Sequence, residues 1–247
     1  MRRNKPLISI ITVCYNSEEN IAITVDSILN QTYQNIEYII IDGESSDETL
    51  KIARKYMPKF KGRMKIISEK DNGISDAFNK GLNISRGDWI YFLNSGDFIF
   101  SKNTLSKIAP KTSFYDIITG PVKLVGKNSY FPKDPKRSFI FGLPAHQGTF
   151  IKSRFAKEIR FNARFKIRMD YDYFLRLNKK FPNLKICSFD EFIAYYEPGG
   201  ISDKKIFQSE IEGIYISIIN KHFIPLGGSI LRGIKRYLRK KLSKFRI

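Results

Sequence analysis

The 247-residue chain predicts an α/β fold, a mostly parallel central sheet with helices on both faces. Three observations carry this expectation. Apolar, β-branched runs recur through the first half of the chain. A stretch with helical spacing follows most of them. Polar or acidic residues stand just past each run. Strands apolar along their whole length are covered on both faces, as in parallel sheets flanked by helices.

The elements follow in order. Leu7 to Tyr15 reads as a strand, and Ser17 to Asn30 as a helix with Ile21, Val25, Ile28 and Leu29 on one face and Ser17 as its N-cap. Ile36 to Ile41 is a second strand ending at Asp42-Gly43. Ser46 then opens a second helix, with Leu50, Ala53 and Tyr56 apolar. Met64 to Ile67 is a third strand, Ser75 to Ile84 a helix, and Trp89 to Leu93 a fourth strand. The second half is less regular. Phe114 to Val125 reads as one or two strands around a Gly-Pro turn, Ser129 to Pro144 as a loop, and Thr149 to Ile151 as a short strand. Tyr171 to Lys180 is a helix, Leu184 to Phe189 a strand, Glu197 to Gly200 a flexible loop, and Lys204 to Asn220 a helix. Ile230 to Phe245 closes the chain as a basic amphipathic helix. The expected division is a catalytic domain over 1–225 and a tail over 226–247.

Lys and Arg number 43 against 24 Asp and Glu, a net charge of +19. Such a charge favours anionic partners without constraining the fold. It is unevenly placed: from Gly213 to Ile247 there are nine basic residues and no acidic one, which leaves +10 on the first 212 residues. Cys14 and Cys187 lie in apolar runs at a spacing that matches no metal or redox motif, so buried free thiols in a reducing compartment are expected. No N-terminal apolar leader and no apolar run of membrane-spanning length is present, which makes the cytoplasm the expected location.

Ligands of open parallel sheets bind past the carboxyl ends of the strands. The residues there are Asn16, then Asp42 with Glu44 and Asp47, then Asp71, then Asn94 with Asp97. Carboxylates gathered along one rim of a basic protein suit a divalent cation and sugar hydroxyls. The order and spacing of these segments resemble family 2 glycosyltransferases. The shared pattern is T-x-x-Y-N at Thr12 to Asn16, Gln31-Thr32, and D-G-x-S-x-D-x-T from Asp42 to Thr49. It continues with E-x-D-x-G-I-x-D-A-x-N-K-G from Glu69 to Gly81, then F-L-N-S-G-D ending at Asp97. His146 to Phe150 and Met169 to Leu177 also fit, in the branch that builds colanic acid, O-antigen and capsule. The resemblance spans roughly residues 7 to 202.

It implies the GT-A fold, which is Rossmann-like, and transfer of a sugar from a UDP- or GDP-sugar with inversion. Thr12, Tyr15, Asn16 and Asp42 would take the nucleotide end of the donor, with Asp71, Asp76 and Lys80 closing over base and ribose. Lys80 has pairing with Asp76 as its structural alternative. Asn79 is expected to be structural, and Ser45 and Asp47 to cap the following helix. The usual metal motif, L-D-x-D-D, is altered here to Leu93-Asn94-Ser95-Gly96-Asp97. Asp97 is the remaining acid for a Mn or Mg ion, with Asn94, Ser95 and Gly96 beside the donor. Asp170 matches the family's catalytic acid, a base on the acceptor hydroxyl. Asp172, two residues on and off the same helix face, would be a helix-start acid or an orienting partner. His146 and Gln147 would meet phosphate, metal or acceptor; Arg168 and Arg176 would face the diphosphate or be solvated or paired structural arginines; and Gly199 and Gly200 would form a mobile lid over the diphosphate.

Expected acceptors are saccharides or lipid-linked saccharides, with the enzyme peripheral at the inner face of the plasma membrane and its basic tail on anionic lipid. Nucleic acid is not expected as a partner, because the charge sits in a tail and no nucleic-acid module is present. Two rivals stand beside this reading: a nucleic-acid-binding protein, and a GT-A scaffold made inactive by its altered metal motif.

Overall fold

The computed structural model describes residues 5–199 and 205–222. Gly200 and the basic tail expected over 226–247 lie outside the described residues.

The larger sheet has seven strands. β1 (Ile8–Cys14), β2 (Ile36–Asp42), β3 (Met64–Ser68) and β4 (Trp89–Phe92) come from the first half. β6 (Ile117–Thr119), β9 (Thr149–Lys152) and β10 (Ile186–Ser188) come from the second. Their order is β10-β6-β9-β4-β1-β2-β3. β1 pairs in parallel with both β2 and β4, and β2 with β3. β9 alone is antiparallel, lying between β4 and β6. β1, β2 and β4 are buried along their whole length, as their uninterrupted apolar sequences require. The second sheet, β5-β11-β7-β8, is small. It is made of β5 (Phe98–Ile99), β7 (Val122–Leu124), β8 (Tyr130–Phe131) and β11 (Ala194–Tyr196).

Two cores flank the large sheet. One joins α1 (Ile21–Leu29) and α2 (Thr49–Tyr56) to the sheet through Val25, Ile28, Ile40 and Tyr91. The other joins α3 (Ile74–Ile84) and α7 (Met169–Lys180) through Phe78, Phe92, Phe161 and Tyr173. Phe161 stacks on Tyr173 with ring centroids 4.3 Å apart. α4 (Thr104–Ile108), α5 (Pro135–Ile140), α6 (Ser153–Ala156) and α8 (Ile206–Ile219) complete the described α-helices.

Three expectations change. The first helix starts at Ile21, not Ser17, and Asn20 stands at its cap with no side-chain bond. Ser17 instead forms a turn, its carbonyl accepting from the Asn20 and Ile21 N–H groups. The second helix starts at Thr49 rather than Ser46, because the Ser46 N–H donates to Asn16 Oδ1 and Asp47 takes the Thr49 N–H. The stretch from Ser129 to Pro144 holds β8 and α5, and Asp134 caps α5 by accepting from the Arg137 N–H at 2.9 Å. An Asp followed by Pro at the first helical position is a start signal that the flanking prolines obscured. The last described helix is α8, over nearly the expected span. Cys14 and Cys187 are buried free thiols, as expected.

Candidate active site

A cleft of about 1350 Å³ opens past the carboxyl ends of β1 and β4, at the point where strand order reverses. β4 ends at Phe92, and the chain turns through Asn94, Ser95, Gly96 and Asp97 on the cleft floor. Gly96 has φ +97°, a backbone conformation that glycine adopts without steric cost. Thr24 of α1 clamps this turn. Its hydroxyl accepts from the Gly96 N–H at 2.9 Å and donates to the Asp97 carbonyl at 2.8 Å.

Asp97 is only 3% exposed. Its Oδ2 accepts from Gln147 Nε2 at 2.9 Å and its Oδ1 from the Glu197 N–H at 3.0 Å. Burial pushes its carboxyl up to about 6, against the opposing pull of His146 and these two hydrogen bonds. β9 makes this meeting possible. Because it runs antiparallel to β4, its start rather than its end lies at the rim, and the turn from His146 to Gly148 just before it delivers His146 and Gln147 there.

His146 is the hub of the floor. Its Nε2 lies 3.0 Å from Asn94 Nδ2, which can only donate. A neutral ring therefore carries its proton on Nδ1, which faces Asp170 Oδ2 at 3.5 Å. Asp170 opens α7, and its side chain is 31% exposed to the cleft. Burial would raise its carboxyl. The His146 hydrogen bond and charge and the Tyr171 N–H outweigh that and hold it below the ordinary range. Asn94, His146 and Asp170 thus form one polar chain across the floor, with Asp97 and Gln147 beside it.

Asp172 does not join them. It is fully buried, with Oδ2 2.6 Å from the Arg176 guanidinium and Oδ1 accepting from Asn220 Nδ2 at 3.3 Å. The two-residue spacing puts it on the far side of α7 from Asp170, and it ties α7 to the end of α8. The same pair removes Arg176 from the expected diphosphate site. Arg168 lines the cleft, but its guanidinium is engaged by Ser209 and Glu210 of α8.

At the end of the cleft expected to take the nucleotide, Tyr15 is 64% exposed and lines the cleft with Asp71. Asp71 Oδ1 accepts from the Gly73 N–H at 2.8 Å. A Cβ on Gly43 would stand 2.6 Å from Asp71 Oδ2, so glycine lets this carboxylate lie against the end of β2. Five other expected residues support the site without lining the cleft. Thr12 is buried and accepts from the Tyr38 hydroxyl at 3.2 Å. Asn16, at φ +45°, accepts from the Ser46 N–H. Asp42 is fully buried and accepts from the Ser45 N–H and from the Ser45 and Ser68 hydroxyls. Asp76 accepts from the Asn72 N–H at 3.0 Å. Lys80 pairs with Glu69 at 3.0 Å rather than with Asp76. Asn79 is structural, exchanging two hydrogen bonds with the Phe161 backbone. Gly199 lines the cleft at φ +100°.

Among the described residues no group of three or more His, Cys, Asp or Glu converges as a metal cage. Two buried oxygens on the floor, Asn94 Oδ1 and Ser95 Oγ, have no hydrogen-bond partner. Several site features gave no signal in the sequence. Thr24 reads as an ordinary helix residue, and Glu197 contributes only its backbone. Phe131 and Tyr196, with ring centroids 5.5 Å apart, line the cleft from β8 and β11, far apart in the chain.

The comparisons agree with this architecture. The S. aureus protein TarS (residues 1–349) in complex with UDP superimposes with a TM-score of 0.68 at 21% identity, over 82% of this chain and 63% of that one. The mannosyltransferase PcManGT of Pyrobaculum calidifontis, in complex with GDP-Man and Mn2+, gives 0.69 at 12% identity over 97% and 76%. These likenesses identify the fold as GT-A. A PGL/p-HBAD biosynthesis glycosyltransferase of Mycobacterium bovis is 28% identical over 210 residues, which cover 80% of each chain. Residues 9–190 match the family model of glycosyl transferase family 2, and with the strand order and the composition of the rim this makes the chain a member of that family.

Proposed function

We propose that this chain transfers a sugar from a nucleoside diphosphate donor to a hydroxyl of a saccharide or lipid-linked saccharide, with inversion, in the assembly of a surface polysaccharide. The observation that carries the reading is the polar chain from Asn94 through His146 to Asp170 beside a buried Asp97. It brings a partly exposed carboxylate and a buried one to a single cleft floor.

Asp170 is the base. A carboxylate held ionised at neutral pH, partly exposed and fixed by His146 and the Tyr171 N–H, is suited to take the acceptor's hydroxyl proton as that oxygen attacks the anomeric carbon. His146 is a positioning residue: its Nδ1 proton orients the carboxylate, and Asn94 sets its tautomer. Tyr15 and Asp71 take the nucleotide end, and the glycine at 199 lies near the path of the diphosphate. The aromatic pair Phe131 and Tyr196 suits the apolar face of an acceptor sugar.

The floor fits a divalent ion held largely by the donor's own phosphate oxygens. Asp97 supplies a carboxylate and Asn94 Oδ1 an unpartnered oxygen, so these two would hold Mn or Mg. When bound, the ion would stabilise negative charge on the leaving diphosphate. The residues over 226–247 form a basic tail that would keep the enzyme at the inner face of the plasma membrane. The described residues contain no helix long and apolar enough to cross a membrane.

A thermal-shift screen of UDP-GlcNAc, UDP-glucose and GDP-mannose, each with and without manganese, tests the reading. A ligand that binds only the folded state raises the unfolding temperature. One donor should stabilise the protein with manganese more than without it. No shift with any donor, together with no nucleoside diphosphate release in the presence of saccharide acceptors, would leave an inactive scaffold as the better description.

A further inference from the structure

We propose that the outward face of α8 is a docking surface for an anionic lipid bilayer, and that it sets the active-site cleft at the membrane. The proposal rests on the membrane reading above for its partner, but on a different part of the chain for its evidence.

α8 is apolar on the wrong side for a soluble helix. Phe207, Ile211, Tyr215 and Ile218 recur at intervals of four, four and three, and are 72%, 50%, 50% and 52% exposed. Ile219 beside them is 46% exposed. A stripe at this spacing occupies one helical face, the pattern by which surface helices bury themselves. Here that face points to solvent.

The charges are sorted in the complementary way. α8 contains two acids, and both turn inward. Glu210 pairs with Arg168 at 3.0 Å. Glu212 accepts from the backbone N–H groups of Lys166, Ile167 and Arg168. Lys205 and Lys221 stand exposed at its two ends, and among the described residues of α8 no carboxylate is fully exposed. The next 25 residues, 223–247, add eight Lys or Arg and no acid. Exposed apolar residues with lysines at both ends of the helix and a basic segment following it suit the interface of an anionic bilayer, where apolar side chains enter the headgroup region and each cation contributes separately. A protein partner would have to supply a matching acidic rim, and a second copy would bring Lys205 and Lys221 against a face that is itself basic.

The inner side of the same helix belongs to the cleft. Ile206 and Ser209 line it, and Ser209 holds the Arg168 guanidinium two residues from Asp170. A bilayer on the outer face would therefore be separated from the cleft lining by this one helix, within reach of an acceptor whose lipid stays in the membrane.

The test uses the full chain, whose one tryptophan, Trp89, is buried and gives a constant background. Tyr215→Trp places a reporter on the stripe. With vesicles of equal phosphatidylglycerol and phosphatidylcholine, its emission should shift to the blue and be quenched by brominated lipid. Ile211→Ser with Ile218→Ser should lower sedimentation with these vesicles by about tenfold or more, with the donor thermal shift unchanged. Four results would overturn the proposal. One is a reporter already blue-shifted without lipid and unmoved by it, meaning the face is covered by the chain itself. Another is light scattering that shows a wild-type dimer and a monomeric double-serine variant. A third is an equal response to pure phosphatidylcholine. The last is a double-serine variant that sediments like wild type, which would leave the tail's membrane role and the sugar chemistry standing without α8.

Discussion

Replacing Asp97 with asparagine should stabilise the ligand-free protein above pH 6 while removing its response to manganese. Asp97 is buried under the Asn94 turn, and burial raises its carboxyl from an ordinary 3.8 to about 6. The sign follows from which state holds the proton. Between these two values the folded protein binds a proton that the unfolded chain has released, so its stability falls as pH rises through the window and levels off above 6. A rise of this size corresponds to about 3 kcal/mol at neutral pH. Asparagine carries no charge to bury, and it can keep both hydrogen bonds. Its Oδ1 can accept from the Glu197 N–H, and its amide can donate to Gln147 once that side chain turns its oxygen inward. The variant and wild type should match near pH 4 and separate by up to about 3 kcal/mol above pH 6.5, or about 6–12 °C in Tm for a chain of this size. Urea unfolding followed by Trp89 fluorescence, from pH 4 to pH 8 in chelator, measures the difference. A difference that does not depend on pH, or a variant less stable than wild type at pH 7, would refute the reasoning.

Asp170→Asn should lower the rate of transfer by roughly 10²–10⁴ with donor affinity nearly unchanged; a variant with wild-type turnover would remove Asp170 as the base. Asp172→Ala should act on stability instead, costing about 3–5 kcal/mol because it leaves Arg176 in a part-buried site without its partner; chemical denaturation and kcat measured on the same sample separate the two effects. Gly43→Ala should displace the Asp71 carboxylate, since the new methyl would stand 2.6 Å from Oδ2, and donor affinity in calorimetry should fall more than unfolding temperature.

The first half of the fold was legible because its strands are buried on both faces. Such strands print as unbroken apolar runs, and the acids past them mark the rim. The second half was harder for physical reasons. β8 and β11 are two and three residues long, too short for any periodicity, and α5 hides among prolines. Asp170 and Asp172 stand together in the sequence, and the turn of a helix separates them by role. Asp42 and Thr12, expected at the nucleotide, are both buried within their strands, where Asp42 gathers Ser45 and Ser68. The contact between Asp97 and Glu197 joins residues a hundred apart through a backbone N–H, which no side-chain pattern can announce.

The antiparallel strand β9 has a consequence for how this molecule can be divided. β4 is entirely buried and apolar, and on its outer side only β9 satisfies its backbone. A fragment ending before residue 125 would keep β1, β2 and β3 but leave β4 as a bare edge, open to pairing with another chain. It would also lack His146 and Gln147, so the Asn94 turn would lose its partners at the same cut. The first half is therefore not a detachable module. Swapping it between relatives to change donor preference would have to carry β9 and the turn before it as part of the same exchange.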